Sequence, residues 1–121
     1  MAAILIVEDD SLICELVGML LEDLGYAILS ATDVDGALVF LRSSRRIDAL
    51  FTDIHLKKIT FGGCSVAHKA VELRPNLRVL YTTGNAITGE LKSQLIAGAT
   101  LLRKPYTNNQ LADSIKLLLA A

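Results

Sequence analysis

The residues able to do chemistry stand where short apolar runs end. Glu8-Asp9-Asp10 follow Ile4-Leu5-Ile6-Val7, Asp53 follows Leu50-Phe51-Thr52, Thr82-Thr83 close Val79-Leu80-Tyr81, and Arg103-Lys104-Pro105 follow Thr100-Leu101-Leu102. If the runs that carry Glu8, Asp9 and Asp53 are neighbours, several carboxylates share one shallow rim. Two unit charges about 4 Å apart interact by roughly 4 kcal/mol at an effective dielectric near 20, so such a rim needs positive charge. A hard cation such as Mg²⁺, bound through carboxylate oxygen and water, supplies part of it. Lys104 supplies the rest as a point charge. A carboxylate can also attack phosphorus to give an acyl phosphate, given a metal, a cation and a hydroxyl donor around the transferring group. Asp53, Asp9, Glu8, Lys104 and Thr83 are the parts for that reaction. Thr83 is preferred to Thr82 because strand alternation turns only one of them to the rim. Asp10 reads as a helix cap rather than a ligand.

The elements that must position these groups alternate along the chain. Strands are expected at Ala3–Val7, Ala27–Ala31, Ala49–Thr52, Val79–Thr82 and Thr100–Arg103, the first as continuously apolar as a central parallel strand should be. A helix is expected from Ser11 to Leu24, on Leu12, Ile13, Leu16, Val17, Leu20 and Leu24, stopped by Gly25. A second runs from Asp33 or Thr32 to near Ser43-Ser44. After a loop with Gly62-Gly63, a third spans about Ser65 to Arg74 and is closed by Pro75. Gly89–Ala97 holds a shorter one, and Thr107 with Gln110 makes a capping box for the last. Five β-α units with short connections specify an α/β fold, a parallel sheet with helices on both faces. Ligands of such sheets bind at the carboxyl ends of the strands.

At 121 residues the chain is read as a single domain, 1–121. Twelve basic and thirteen acidic residues give a net charge of −1, so neither nucleic acid nor an anionic membrane is an expected partner. Cys14 and Cys64 have no metal-site or disulfide spacing and are read as inert, reduced thiols. No secretory pattern precedes the first strand, and no apolar run nears the roughly 20 residues of a membrane span. A cytoplasmic location is expected.

Four segments in order, Ile4-Leu5-Ile6-Val7-Glu8-Asp9-Asp10, Leu50-Phe51-Thr52-Asp53, Leu80-Tyr81-Thr82-Thr83-Gly84 and Lys104-Pro105-Tyr106, resemble the receiver domain of bacterial two-component response regulators. The likeness runs from about residue 3 to 119. It implies a doubly wound, flavodoxin-like sheet of order 2-1-3-4-5 with five helices. It also implies Asp53 as phosphoacceptor, with Mg²⁺ held directly by Asp9 and Asp53, through water by Glu8, and by the backbone carbonyl of His55. Thr83 would swing its hydroxyl to the phosphoryl group, Lys104 would pair with it, and Pro105 would follow a cis peptide. His55 and Asn85 stand where side chains tune phosphate lifetime in that family. The implied partners are a sensor histidine kinase or a histidine phosphotransfer protein, plus a downstream protein. No enzyme activity is implied beyond self-phosphorylation and slow self-dephosphorylation.

The chain departs from that pattern in three places. Leu101 stands where most receivers carry Tyr or Phe, and Lys57 where they carry Pro, in a loop extended by Lys58-Ile59-Thr60-Phe61. Gly84 stands where most carry Ala. The Thr-Gly strand end and missing aromatic resemble an alphaproteobacterial subgroup with a Phe-Ala-Thr-Gly motif and kinases of the HWE type. The Gly84–Gly89 loop is expected to reorder when Thr83 engages phosphate. Alternatives are a phosphorylation-independent interaction module with a degenerate switch, and a receiver cut from a hybrid kinase. An enzyme on this architecture fits less well. Glu8-Asp9-Asp10 is electrostatically wrong for a nucleotide phosphate loop, and His55 occupies the place of an aspartyl-phosphate hydrolase's second acid.

The first helix is more apolar than one buried stripe requires, since Met19, Leu21 and Cys14 widen the arc. It is read as a broad core contact, with a docking face for a phosphodonor helix as the alternative. His68 is read as solvated surface.

Overall fold

The computed structural model describes residues 1–56 and 59–120. Its elements are β1 (Ala3–Val7), α1 (Ser11–Asp23), β2 (Ala27–Ala31), α2 (Val34–Leu41), β3 (Ala49–Asp53), α3 (Gly62–Leu73), β4 (Arg78–Thr83), α4 (Gly89–Gln94), β5 (Thr100–Arg103) and α5 (Asn108–Ala120). The strands form one parallel sheet of order β2-β1-β3-β4-β5, so the flavodoxin-like arrangement is present. β1 and β3 are neighbours at the middle of the sheet and are buried along their whole length. This is why they read as unbroken apolar runs.

Strand alternation divides the core in two. Ile4, Ile6, Ala49, Phe51 and Leu80 pack with Cys14, Val17 and Leu21 of α1 and Leu111, Ile115 and Leu118 of α5. Leu5, Val7, Leu50, Val79 and Tyr81 pack with α2, α3 and Leu91 of α4. Asp10 caps α1 by accepting from Leu12 and Ile13 N–H (3.0 and 3.2 Å), and Asp33 caps α2 through Gly36 N–H. The capping box of α5 forms in both directions: Thr107 N–H donates to Gln110 Oε1 (2.8 Å) and Gln110 N–H to Thr107 Oγ1 (3.1 Å). The Lys104–Pro105 peptide is cis.

Four expectations change. α1 buries Cys14, Val17, Gly18 and Leu21, while Leu12, Leu16, Met19 and Leu24 are exposed. The stripe that faces the sheet runs through Cys14, Val17, Gly18 and Leu21, and an added Cβ on Gly18 would make ordinary van der Waals contact with Ile28 (3.7 Å) and Ile6 (3.9 Å). α2 ends at Leu41 with Arg42 as its C-cap, rather than near Ser43-Ser44, and a side chain distant in sequence takes carbonyls freed at that end. Arg74 donates to Phe40 (3.4 Å), Leu41 (3.1 Å), Ser43 (2.8 Å) and Arg45 (2.7 Å). α3 begins at Gly62, so Gly62-Gly63 form its first turn rather than a preceding loop. α4 stops at Gln94, short of Ala97. Lys57 and Lys58 lie outside the described residues.

Candidate functional site

The rim at the carboxyl ends of β1, β3, β4 and β5 gathers the predicted residues. Glu8 leaves β1 with its N–H on the Ala31 carbonyl (3.1 Å) and is 6% exposed, while Asp53 ends β3 at 8%. Carboxylate oxygens of Glu8, Asp9 and Asp53 all lie within 4.8 Å of one another. Lys104 follows β5, anchored by its N–H on the Thr83 carbonyl (2.9 Å). Its Nζ donates to Asp53 Oδ2 at 2.9 Å and lies 3.8 Å from Glu8 Oε2. Three acids and one ammonium leave the rim short of positive charge. Closely spaced carboxylate oxygens are the donor set that a hard divalent ion prefers, so the residues fit Mg²⁺.

Electrostatics register the crowding. Burial first, then the hydrogen bond to Asp53, push the Glu8 carboxyl up to about 7, against the opposing pull of Lys104. For Lys104, burial works against the charge. The bond to Asp53 and the fields of Asp53 and Glu8 outweigh it and hold the ammonium above its ordinary range. In metal-free protein Glu8 therefore keeps a proton up to about pH 7, whereas its ordinary value is 4.5. The native state binds the extra proton between those values, so this group's contribution to stability falls as pH rises from one to the other. The expected difference between wild type and Glu8→Gln is on the order of 3 kcal/mol across that window, read by urea unfolding. Mg²⁺ should shrink it by favouring the carboxylate. A wild type that gains stability relative to Glu8→Gln over the same range would remove Glu8 as the source.

Thr83 is fully buried at the end of β4, and its Oγ1 accepts from Asn85 N–H (3.1 Å). Thr82 pairs directly with Asp53 in the sheet register, and its buried hydroxyl has no hydrogen-bond partner. His55, half buried, accepts the Phe61 N–H at Nδ1 (3.4 Å) and lies against the Phe61 ring, 5.3 Å between centroids. His55 thus borders the rim through its loop, with its ring occupied by Phe61. Leu101 packs partly buried against the core beneath α4. It pairs with Tyr81 of β4, whose hydroxyl accepts from Ile96 N–H just after α4 (3.2 Å), so the aromatic ring that meets this segment belongs to the neighbouring strand. His68 is exposed as expected, yet its Nε2 lies 2.7 Å from the Gln94 carbonyl. Burial raises the Cys14 and Cys64 thiols above their ordinary range, which suits inert side chains.

Sequence reasoning missed one residue that shapes the site. Gly63 sits with its N–H on the Ile54 carbonyl (2.8 Å), and a Cβ there would overlap the Asp53 carbonyl oxygen. α3 therefore begins against the backbone of the acceptor strand. The Gly62-Gly63 pair carried the signal, but it read as a loop.

A doubly wound sheet of this order, with clustered acids and a lysine at its carboxyl rim, defines a receiver fold. The chain matches the response regulator receiver domain family over residues 4–116 and belongs to it. It is 31% identical over 109 residues to the nitrogen assimilation regulatory protein NtrX of Azorhizobium caulinodans, covering 89% of this chain and 24% of NtrX. The chain thus spans about a quarter of that relative. The response regulator receiver protein of Sinorhizobium medicae WSM419 has a crystal structure that superposes with a TM-score of 0.89 at 29% identity, covering 99% of this chain and 95% of that one. A response regulator protein from Burkholderia pseudomallei, solved with a phosphorylated aspartic acid, a calcium ion and citrate, superposes with a TM-score of 0.81 at 26% identity, covering 98% of this chain and 66% of that one. Among the described residues, no helix is long and apolar enough to cross a membrane.

Proposed function

We propose that the chain is a phosphorylatable receiver in which Asp53 accepts a phosphoryl group from a histidine kinase or a histidine phosphotransfer protein. The observation that carries this is the Lys104 ammonium at 2.9 Å from Asp53 Oδ2, inside a cluster of three carboxylates. One Asp53 oxygen forms the new O–P bond as the P–N bond of a phosphohistidine breaks, and the imidazole leaves with the electron pair. Lys104 is already placed to neutralise an oxygen of the transferring group, and burial around Asp53 strengthens that interaction. Glu8, Asp9 and Asp53, with the His55 carbonyl, would hold Mg²⁺, which supplies positive charge against the phosphoryl oxygens when bound. Thr83 donates its hydroxyl to the product. The chain turns over no separate substrate in this reading; it phosphorylates itself from a donor and slowly releases phosphate to water. The Burkholderia protein, with its phosphorylated aspartic acid and divalent ion, supports this chemistry.

Incubation with acetyl phosphate and Mg²⁺ should add one phosphoryl group, mapped by mass spectrometry to the peptide containing Asp53. Asp53→Asn should abolish the labelling. Labelling that persists in Asp53→Asn would sink the assignment.

The outward stripe of α1 (Leu12, Leu16 and Met19, the last 55% exposed) is an apolar surface suited to a phosphodonor helix. A sensor kinase of the HWE type is one donor that the Thr-Gly strand end suggests. Met19→Glu is expected to slow transfer from a protein donor while acetyl phosphate labelling stays unchanged. Equal slowing of both reactions would place the effect outside docking.

A further inference from the structure

β4 turns Tyr81 and Thr83 to one face, two residues apart. Each holds a backbone N–H at an opposite end of the segment that carries α4. Thr83 Oγ1 accepts from Asn85, ahead of the helix, at 3.1 Å. The Tyr81 hydroxyl accepts from Ile96, behind it, at 3.2 Å. A third bond ties the same rear end to α3. His68 Nε2 lies 2.7 Å from the Gln94 carbonyl, and since a carbonyl only accepts, Nε2 carries the proton.

These ties matter because α4 has little else to hold it. It is 6 residues long, and its buried residue is Leu91. A helix that short has no stability of its own. Tyr81, by contrast, is wholly buried in the core formed with α2 and α3, and Ile87, Leu95, Ile96 and Leu101 pack against that core. Burial pushes its phenol up to about 12, so the hydroxyl stays neutral. The two anchors are also unequal. Thr83 stands on the strand end beside Asp53, where rotating its side chain to donate to a new phosphoryl oxygen would carry Oγ1 away from the Asn85 N–H. Tyr81 is one turn of the pleat deeper, away from the rim.

We propose that Tyr81 is the fixed pivot of the phosphorylation response. When Thr83 rotates about χ1 to donate its hydroxyl to the phosphoryl group on Asp53, Oγ1 leaves the Asn85 N–H and residues 84–90 move, while Tyr81 and His68 keep Gln94–Ile96 in place. α4 tilts about its rear end instead of shifting bodily. This rests on the phosphoacceptor reading of Asp53 and adds to it the direction of the output motion.

Amide hydrogen exchange and ¹H–¹⁵N NMR on wild type and Tyr81→Phe, with and without beryllofluoride and Mg²⁺, test it. Tyr81→Phe keeps the buried ring and removes only the hydroxyl. Without ligand, the Ile96 amide should exchange roughly tenfold faster in Tyr81→Phe, as expected for one lost hydrogen bond, with Asn85 unchanged. Equal Ile96 exchange in the two proteins overturns the pivot. With beryllofluoride, wild type should shift at Asn85–Glu90 and keep Ile96 protected, and in Tyr81→Phe the shifts should spread through Leu95–Ala99. Loss of Ile96 protection in wild type, or identical shift maps, overturns the tilt. A wild type with no beryllofluoride response around Asp53 overturns the phosphoacceptor reading and the motion with it, and the ligand-free comparison still decides whether Tyr81 pins Ile96.

Discussion

A Gly63→Ala chain is expected to lose more than about 4 kcal/mol of stability, or not to fold, an effect at the far end of what single substitutions produce. The cause is backbone meeting backbone. The new methyl would overlap the Asp53 carbonyl oxygen and sit 2.7 Å from the carbonyl carbon and 3.0 Å from Ile54 Cα. No rotamer change relieves that, because none of these atoms belongs to a side chain. Moving α3 outward would break the bond from Gly63 N–H to the Ile54 carbonyl (2.8 Å). It would also open the core around Cys64, Val66 and Ala67. Gly89→Ala is the control. Nothing lies within 4 Å of its added methyl, and removing a glycine from the start of a helix should change stability by at most about 1 kcal/mol, towards greater stability. Urea unfolding of both variants reads the contrast. If Gly63→Ala unfolds at the wild-type midpoint, the first turn of α3 does not press on the acceptor strand.

The second large effect concerns Lys104. Lys104→Met keeps most of the stem and removes the ammonium that lies 2.9 Å from Asp53 and 3.8 Å from Glu8. Loss of one preorganised electrostatic partner of a developing charge costs roughly 10²- to 10³-fold in rate. Labelling by acetyl phosphate should slow by that order. Mg²⁺ binding should move the other way. A cation beside a divalent-ion site repels the ion, so its removal tightens binding, measured by titration calorimetry. The opposite signs are the signature of a charge that serves transfer rather than metal uptake. Should labelling and Mg²⁺ affinity fall together, Lys104 is holding the rim in shape instead.

The sheet was legible because its central strands are buried on both faces. Their apolar runs leave no choice of element, and the polar residue that ends each run marks the rim. Glu8 and Asp53 were found that way, whereas Lys104 follows β5, a partly exposed edge strand, and stood out through the Lys104-Pro105 pair after an apolar run. Tertiary fit was harder to read. In α1 the large residues Leu12 and Leu16 suggested the inward face by hydrophobicity, but Cys14, Val17 and Leu21 pack with Ile4, Ile6 and Phe51 instead, and hydrophobicity alone does not choose between two apolar stripes of one helix. At α3 two glycines looked like a loop. They are helical because Phe61 turns the chain into α3 with φ 60 and Gly63 must then fit beneath Asp53. Tyr81 read only as a strand residue. Its role depends on Leu101 lying opposite it in the register and on Ile96 arriving above it, neither of which follows from local pattern. The order 2-1-3-4-5 and the cis peptide came with the family likeness, since alternation alone leaves strand order open.

Arg74 carries a consequence for the vectorial birth of the chain. Its guanidinium closes carbonyls of Phe40, Leu41, Ser43 and Arg45, roughly thirty residues upstream. A nascent chain that ends before Arg74 leaves the tail of α2 without those donors. The end of α2 is therefore latched to the rest of the molecule only once α3 is in place.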